Sequence, residues 1–306
     1  MKIATHSPRL ASLAIATSLT LIGTSLSQAA VYTWISSGNP GQDSNLDVAA
    51  NWSLSGPDAG TDPTTPSASS SQLNTNSADD VIIFDSTNYS TTPRNIYTRS
   101  TSKWGSIQVL NGTINWQNDS NNSGNYSYTD GESGTPTMVV GNGNATAAIA
   151  NLNIINWNHD GTNGTKTYLV NSDGLLASAR GGNHVWSNGA NLDTVMRLVG
   201  GAVNITGQFF ESHITGDAGD YVSFEDFGST FTFTKGDAAG KFDDALDITN
   251  AFGDSFRLGG SLNSGNAALG LTDGGSTWTI GITAIPEPEP ALLGSLGLLL
   301  LLRRRR

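Results

Sequence analysis

The chain has 306 residues with 36 glycines, 37 % hydrophobic residues, 13 % charged residues and no cysteine, too apolar and too weakly charged for a chain disordered by its own charge. Formal net charge is −11, but Lys2, Arg9, Arg303 to Arg306, Glu287 and Glu289 sit at the ends, and the remainder holds nine basic against twenty-four acidic residues, a body charge of −15. Such a body repels nucleic acid and anionic membrane surfaces, and without cysteine neither thiol catalysis nor Cys-ligated zinc is open to it.

Lys2 and Arg9 precede an apolar run from Leu10 to about Leu26, and Ser27-Gln28-Ala29 follows with small residues at alternate positions. Charge, apolar core and small-residue site in this order predict a secretory signal peptide over residues 1–29, cut by signal peptidase after Ala29. No amphipathic face can be drawn through the run, which argues against a helix of the mature fold.

The body opens with Tyr32-Thr33-Trp34 and, after Leu46, with Ala49-Ala50-Asn51-Trp52-Ser53. Residues 55–77 are rich in Pro, Ser, Thr and Gly and read as a loop, and Val81-Ile82-Ile83-Phe84-Asp85 reads as a buried strand. A Trp-containing strand, an Asn-Trp-Ser corner, a loop and an Asp-Asp-Val-Ile-Ile-Phe-Asp strand is similar to the start of passenger-like β-repeat proteins. The resemblance covers about sixty residues and implies a β-rich body.

Further strands are predicted at 106–110, 113–116, 137–140, 147–157, 167–170, 194–199 and 203–206, nearly all ending in Gly or Asn, which tolerate the positive φ of tight corners. Val139-Val140-Gly141-Asn142, Leu169-Val170-Asn171-Ser172 and Leu198-Val199-Gly200-Gly201 recur at spacings near thirty residues. One strand-and-corner unit per repeat, stacked on its neighbour, is how a solenoid buries apolar surface. The expected fold is therefore all-β, a right-handed parallel β-helix over 30–215, with a β-sandwich as the alternative. After about Gly216 the texture changes: Tyr221 to Phe224 and Thr230 to Phe233 alternate strictly, Asp237 to Thr249 holds a helical stretch, and strands at 254–258 and 277–282 complete a β-rich cap over 216–284.

The tail, 285–306, has three parts: Pro286-Glu287-Pro288-Glu289-Pro290, the Leu/Gly/Ala-rich Ala291 to Leu302, and Arg303, Arg304, Arg305 and Arg306. Twelve helical residues extend about 18 Å against a hydrocarbon core of about 30 Å, so the span is short for a permanent anchor. The arginines hold the chain end in the cytoplasm, which puts the body on the far side, where the signal peptide also sends it. This tripartite tail resembles the PEP-CTERM sorting domain of Gram-negative bacteria. The resemblance covers about the last 22 residues. It implies recognition by an exosortase, a membrane-embedded protease that cuts near Pro286, Glu287 and Pro288 and passes the protein to the cell surface. The chain would be that enzyme's substrate.

Chemistry is sparse. His159, His184 and His213 lack metal-ligand spacing, Gly141-x-Gly143 reads as a turn, and no nucleophile elbow or phosphate loop occurs. The carboxylate pairs Glu225/Asp226 and Asp243/Asp244 are sequence neighbours, and neighbours on a strand point to opposite faces. Asp119, Asn121, Ser123, Gly124, Asn125 and Asp130 match positions 1, 3, 5, 6, 7 and 12 of a calcium loop, though the flanks are not helical and Asp130 replaces the usual Glu. Calcium is the one cofactor this pattern allows; the bland reading is a surface loop. Trp34, Trp52, Trp104, Trp116, Trp157, Trp186 and Trp278 serve as sugar platforms if exposed and as corner packing if buried. The expectation is an exported, exosortase-processed structural protein of the cell surface or exopolysaccharide matrix, not an enzyme. The alternative is a carbohydrate-binding or carbohydrate-active protein, a lyase or hydrolase included, acting on extracellular polysaccharide.

Overall fold

The computed structural model of the chain describes residues 30–35, 51–56, 80–88, 94–98, 106–118, 126–128, 138–150, 157–159, 164–178, 192–208, 219–236, 242–286 and 303. Within them the chain forms β1 (Val31–Trp34), β2 (Trp52–Ser55), β3 (Val81–Asp85), β4 (Arg94–Thr98), β5 (Ser106–Asn118), β6 (Tyr126–Tyr128), β7 (Met138–Val140), β8 (Ala147–Ala150) and β9 (Trp157–His159). There follow β10 (Gly164–Asn171), β11 (Gly174–Ser178), β12 (Leu192–Val199), β13 (Ala202–Gln208), β14 (Tyr221–Asp226) and β15 (Thr230–Thr234). Helix α1 (Ala245–Ala251), β16 (Phe256–Leu258), β17 (Ala267–Asp273) and β18 (Thr277–Ala284) complete the order. Among the described residues the fold is β-rich, with one short helix as a named element.

Two ladders carry the body. The first runs β2-β1-β3-β5-β7-β10-β12-β14-β16 and is parallel at every step after β2. The second runs β4-β5-β8-β11-β13-β15-β18-β17, parallel as far as β15 and antiparallel thereafter. Strand β5 belongs to both, pairing Ile107 to Val109 with β7 and Gly112 to Asn115 with β8. From there to β15 each pass of the chain adds one strand to each ladder. The pair β6/β9 stands apart, and it separates Trp157 from β8, whereas the sequence pattern had run 147–157 together.

Alternation decides which side chains face in. In the first ladder Ile82, Ile107, Met138, Tyr168, Met196, Val222 and Phe256 are paired in register, and so are Phe84, Val109, Val140, Val170, Leu198, Phe224 and Leu258. In the second, Ile114, Ile149, Leu176, Val203, Phe231 and Ile280 do the same. All but Leu258 are buried. Each such side chain contributes about 1.5–3 kcal/mol by leaving water, so like-on-like stacking is the main cohesive force. The repeat seen in sequence is real for its first two members, but its third is shifted by one: Val140 and Val170 align with Leu198, not with Val199.

Successive corners share one backbone device. Gly112, Gly141, Asp173, Gly200 and Gly228 all have φ between 63 and 91° and all stand where the chain passes from the first ladder to the second. Glycine enters that region without penalty, and aspartate is among the few other residues that visit it. The next inward position is held by Ala147, Gly174 and Gly201, which are mutually in register or adjacent to it. A Cβ on Gly201 would lie 2.4 Å from the Asn171 carbonyl oxygen, so the corner of the preceding pass packs directly on its backbone. Entry to the first ladder also repeats: Asp80 accepts the Ala30 N–H and Asp220 accepts the Thr194 N–H, each one strand back along the ladder.

At the C-terminal end Phe231, Phe233, Phe242 and Phe256 form a ring cluster with centroids 5.9–6.0 Å apart. Asp244 caps α1 by accepting the N–H groups of Leu246 and Asp247, and Ile248 and Ala251 turn the helix inward. Strands β14 and β15 continue both parallel ladders.

Candidate functional surfaces

The residues singled out for sorting lie mostly beyond the described chain. Ala29, Glu287, Pro288, Arg304, Arg305 and Arg306 are outside it, while Pro286 and Arg303 are inside and exposed. Among the described residues no helix is long and apolar enough to cross a membrane; Ala291 to Leu302 are not among them. Pro286 follows Ile285, whose N–H donates to the Asn266 carbonyl at 3.0 Å, which places Pro286 beside the start of β17. The calcium-loop residues Asp119, Asn121, Ser123, Asn125 and Asp130 also lie outside, as do His184 and His213.

Glu225, Asp226, Asp244 and Asp273 have structural partners. Glu225 forms a two-pronged pair with Arg197, both contacts 2.7 Å, and accepts the Ser223 hydroxyl at 3.1 Å. The Arg197 hydrogen bond, then its charge, holds the Glu225 carboxyl below its usual range against the opposing effect of burial. Asp226 turns instead to the Phe227 N–H. Asp243, Asp244 and Asp247 bring carboxylate oxygens within 4.8 Å of one another, a trio that sequence adjacency showed only as a pair. Asp244 is committed to its helix cap, and the other two are on the surface or partly so. Asp273 is held below its usual range by Lys235, with help from the Gly275 N–H.

The describable tryptophans are core. Trp34, Trp52 and Trp278 are 0, 5 and 7 % exposed. Trp34 meets Trp52 edge to face at 4.9 Å, and Lys235 Nζ lies 3.8 Å over the Trp278 ring. Among the described residues the indole N–H groups of Trp34 and Trp278 have no hydrogen-bond partner, so ring packing, and for Trp278 the Lys235 charge, holds them.

The outward face of the second ladder is smooth. One row across it reads Ala177, Asn204, Thr232, Thr279 and Thr272, and a second reads Thr113, Ala148, Leu175, Ala202, Thr230, Gly281 and Gly270. Neither row contains a charge, and Thr232 and Thr279 share a hydrogen bond of 2.9 Å. With strands about 4.8 Å apart and side chains about 6.8 Å apart along each, these rows form a regular array of hydroxyl, amide and methyl groups. No protein-family model, no curated protein and no solved structure matches this chain. Its function must be argued from its own residues.

Beside β17 lies a groove of about 560 Å3, lined among others by Phe252, Phe256, Arg257, Leu262, Asn263 and Leu269. Sequence reasoning missed β17, because Ala-Ala-Leu-Gly-Leu has neither clean alternation nor β-branched residues.

Proposed function

We propose that this chain is an exported, non-enzymatic structural protein of the cell surface or exopolysaccharide matrix, its body a right-handed parallel β-helix. The observation that carries the reading is the pair of parallel ladders with like side chains stacked in register and one left-handed corner residue per pass. A β-sandwich is built from antiparallel hairpins and Greek keys, and neither accounts for strands pairing with partners about thirty residues away in the same direction. The antiparallel strands β18 and β17 act as the cap.

The smooth Asn/Thr face supports a structural role over a catalytic one, and burial of Trp34, Trp52 and Trp278 takes three sugar platforms from the carbohydrate-active alternative. Export rests on the two ends: a signal peptide cut after Ala29, and a PEP-CTERM-like tail in which an exosortase reads Pro286-Glu287-Pro288 while Arg303 to Arg306 stay cytoplasmic. The Ala30 nitrogen is 3.0 Å from an Asp80 carboxylate oxygen. Cleavage after Ala29 would turn that amide donor into an ammonium beside a carboxylate, which favours the processed chain.

Intact-mass measurement on protein from its exporting host tests the reading. Both ends should be missing, and a chain deleted of residues 287–306 should change its destination. Mature protein that keeps its last twenty residues, or a deletion with unaltered destination, refutes it.

A further inference from the structure

The C-terminal end of the second ladder is an unfinished edge. Two hydrogen bonds fix the phase of the β17/β18 pairing: Ile285 N–H to Asn266 C=O at 3.0 Å and Gly274 N–H to Thr277 C=O at 2.9 Å. In an antiparallel pair, residues alternate between bonding the partner strand and facing away from it. Given the register Ala268 to Thr283, Gly270 to Gly281 and Thr272 to Thr279, these three residues bond β18, and Ala267, Leu269, Leu271 and Asp273 face outward. The Ala267 N–H confirms the phase by turning out to the Asn263 carbonyl at 2.9 Å. The N–H and C=O groups of Leu269 and Leu271 have no partner among the described residues.

Edges of this kind are normally blunted with lysine, proline, a bulge or a short strand. Strand β17 is seven residues long, has no proline or basic residue, and keeps an unbroken register. Its one charge, Asp273, is neutralised locally by Lys235. In a body that is strongly acidic elsewhere, this edge lets a second acidic body approach without repulsion.

We propose that the edge pairs with β17 of a second copy, giving a two-fold dimer joined end to end. An antiparallel pairing centred on Gly270 makes every outward group of Leu269 meet one of Leu271 of the partner chain, and the reverse, for four backbone hydrogen bonds. Gly270 then faces its own copy in the close, non-bonded position, where the missing side chain leaves room. The half-buried Leu269 and Leu271 side chains of each copy extend the other's core and cover the groove beside Phe252 and Leu262. Ala268 of one copy falls opposite Thr272 of the other, both exposed and on the outer face.

That last pairing supplies the test. The full chain, purified in detergent with both ends retained, is compared by sedimentation velocity with Ala268→Lys/Thr272→Lys and Ala268→Lys/Thr272→Glu. Association through the apolar tail is common to all three and cancels. Dimers are expected for the parent. Two like-charge contacts in the first variant raise its dissociation constant about tenfold or more, and two opposite-charge contacts in the second restore it. A monomeric parent, a lysine variant that dimerises as well as the parent, a glutamate variant that fails to recover, or open-ended oligomers in place of dimers would each overturn the proposal.

Discussion

Gly201→Ala tests the corner packing directly. The added Cβ would sit 2.4 Å from the Asn171 oxygen, 2.5 Å from Val170 Cγ1 and 2.7 Å from the Val170 oxygen, where carbon contacts settle at roughly 3.5 Å or more. Two of the three obstacles are backbone of the preceding pass, so the clash is relieved only by parting the ladders. Overpacking against a neighbour that cannot swing away belongs at the upper end of its range, about 3 kcal/mol, and stiffening the unfolded chain returns about 0.4–1 kcal/mol. A net loss of about 2 kcal/mol follows. Gly275→Ala is the control, because its φ of 83° imposes a conformational cost while nothing lies within 4 Å of the new methyl. That change loses about 1 kcal/mol or less after the same entropy correction. Urea unfolding with a common slope measures both. If Gly201→Ala costs no more than Gly275→Ala, the passes do not pack backbone on backbone at this corner and the stacking account is wrong.

Phe231→Ala empties the centre of the ring cluster between Phe233 and Phe256 and should cost about 3–5 kcal/mol in the same assay. Asp220→Ala removes the buried acceptor of the Thr194 N–H and should cost about 1–3 kcal/mol. The Arg197–Glu225 pair, with Arg197 44 % exposed, should show a coupling below about 1 kcal/mol in a double-mutant cycle. Because folding lowers the Glu225 pKa, that coupling is present above the ordinary carboxylate pKa of 4.5 and fades as pH falls through the lowered folded value. A coupling that grows on acidification would contradict the assignment.

How legible the fold was depended on the range of the forces involved. Strict alternation at Thr230 to Thr234 and the apolar run at Val81 to Phe84 announce which side chains point inward, since a strand's two faces differ locally. The corner glycines were legible as turns for the same reason. Partner choice is not local: nothing in the spelling of β12 says that Leu198, and not Val199, lies over Val170, and a slip of one residue still leaves an apolar side chain available. Gly174-Leu175-Leu176-Ala177-Ser178 was passed over because its inward Gly, Leu and Ser carry little hydrophobic contrast; it is a strand because Ile149 and Val203 flank Leu176 on neighbouring passes.

The same distinction separates the two proposed functional elements. The proposed sorting tail is a short linear pattern, legible in sequence because its three parts follow one another along the chain. The β17 edge is defined by hydrogen-bonding phase, which only the pairing with β18 fixes, and no side chain in Ala267 to Asp273 advertises it. Pro286 stands next to the edge, one residue after the bond that sets the phase. In a two-fold pairing centred on Gly270, Ala267 of one copy faces Asp273 of the other, so the two Pro286 residues lie at opposite ends of the paired strands.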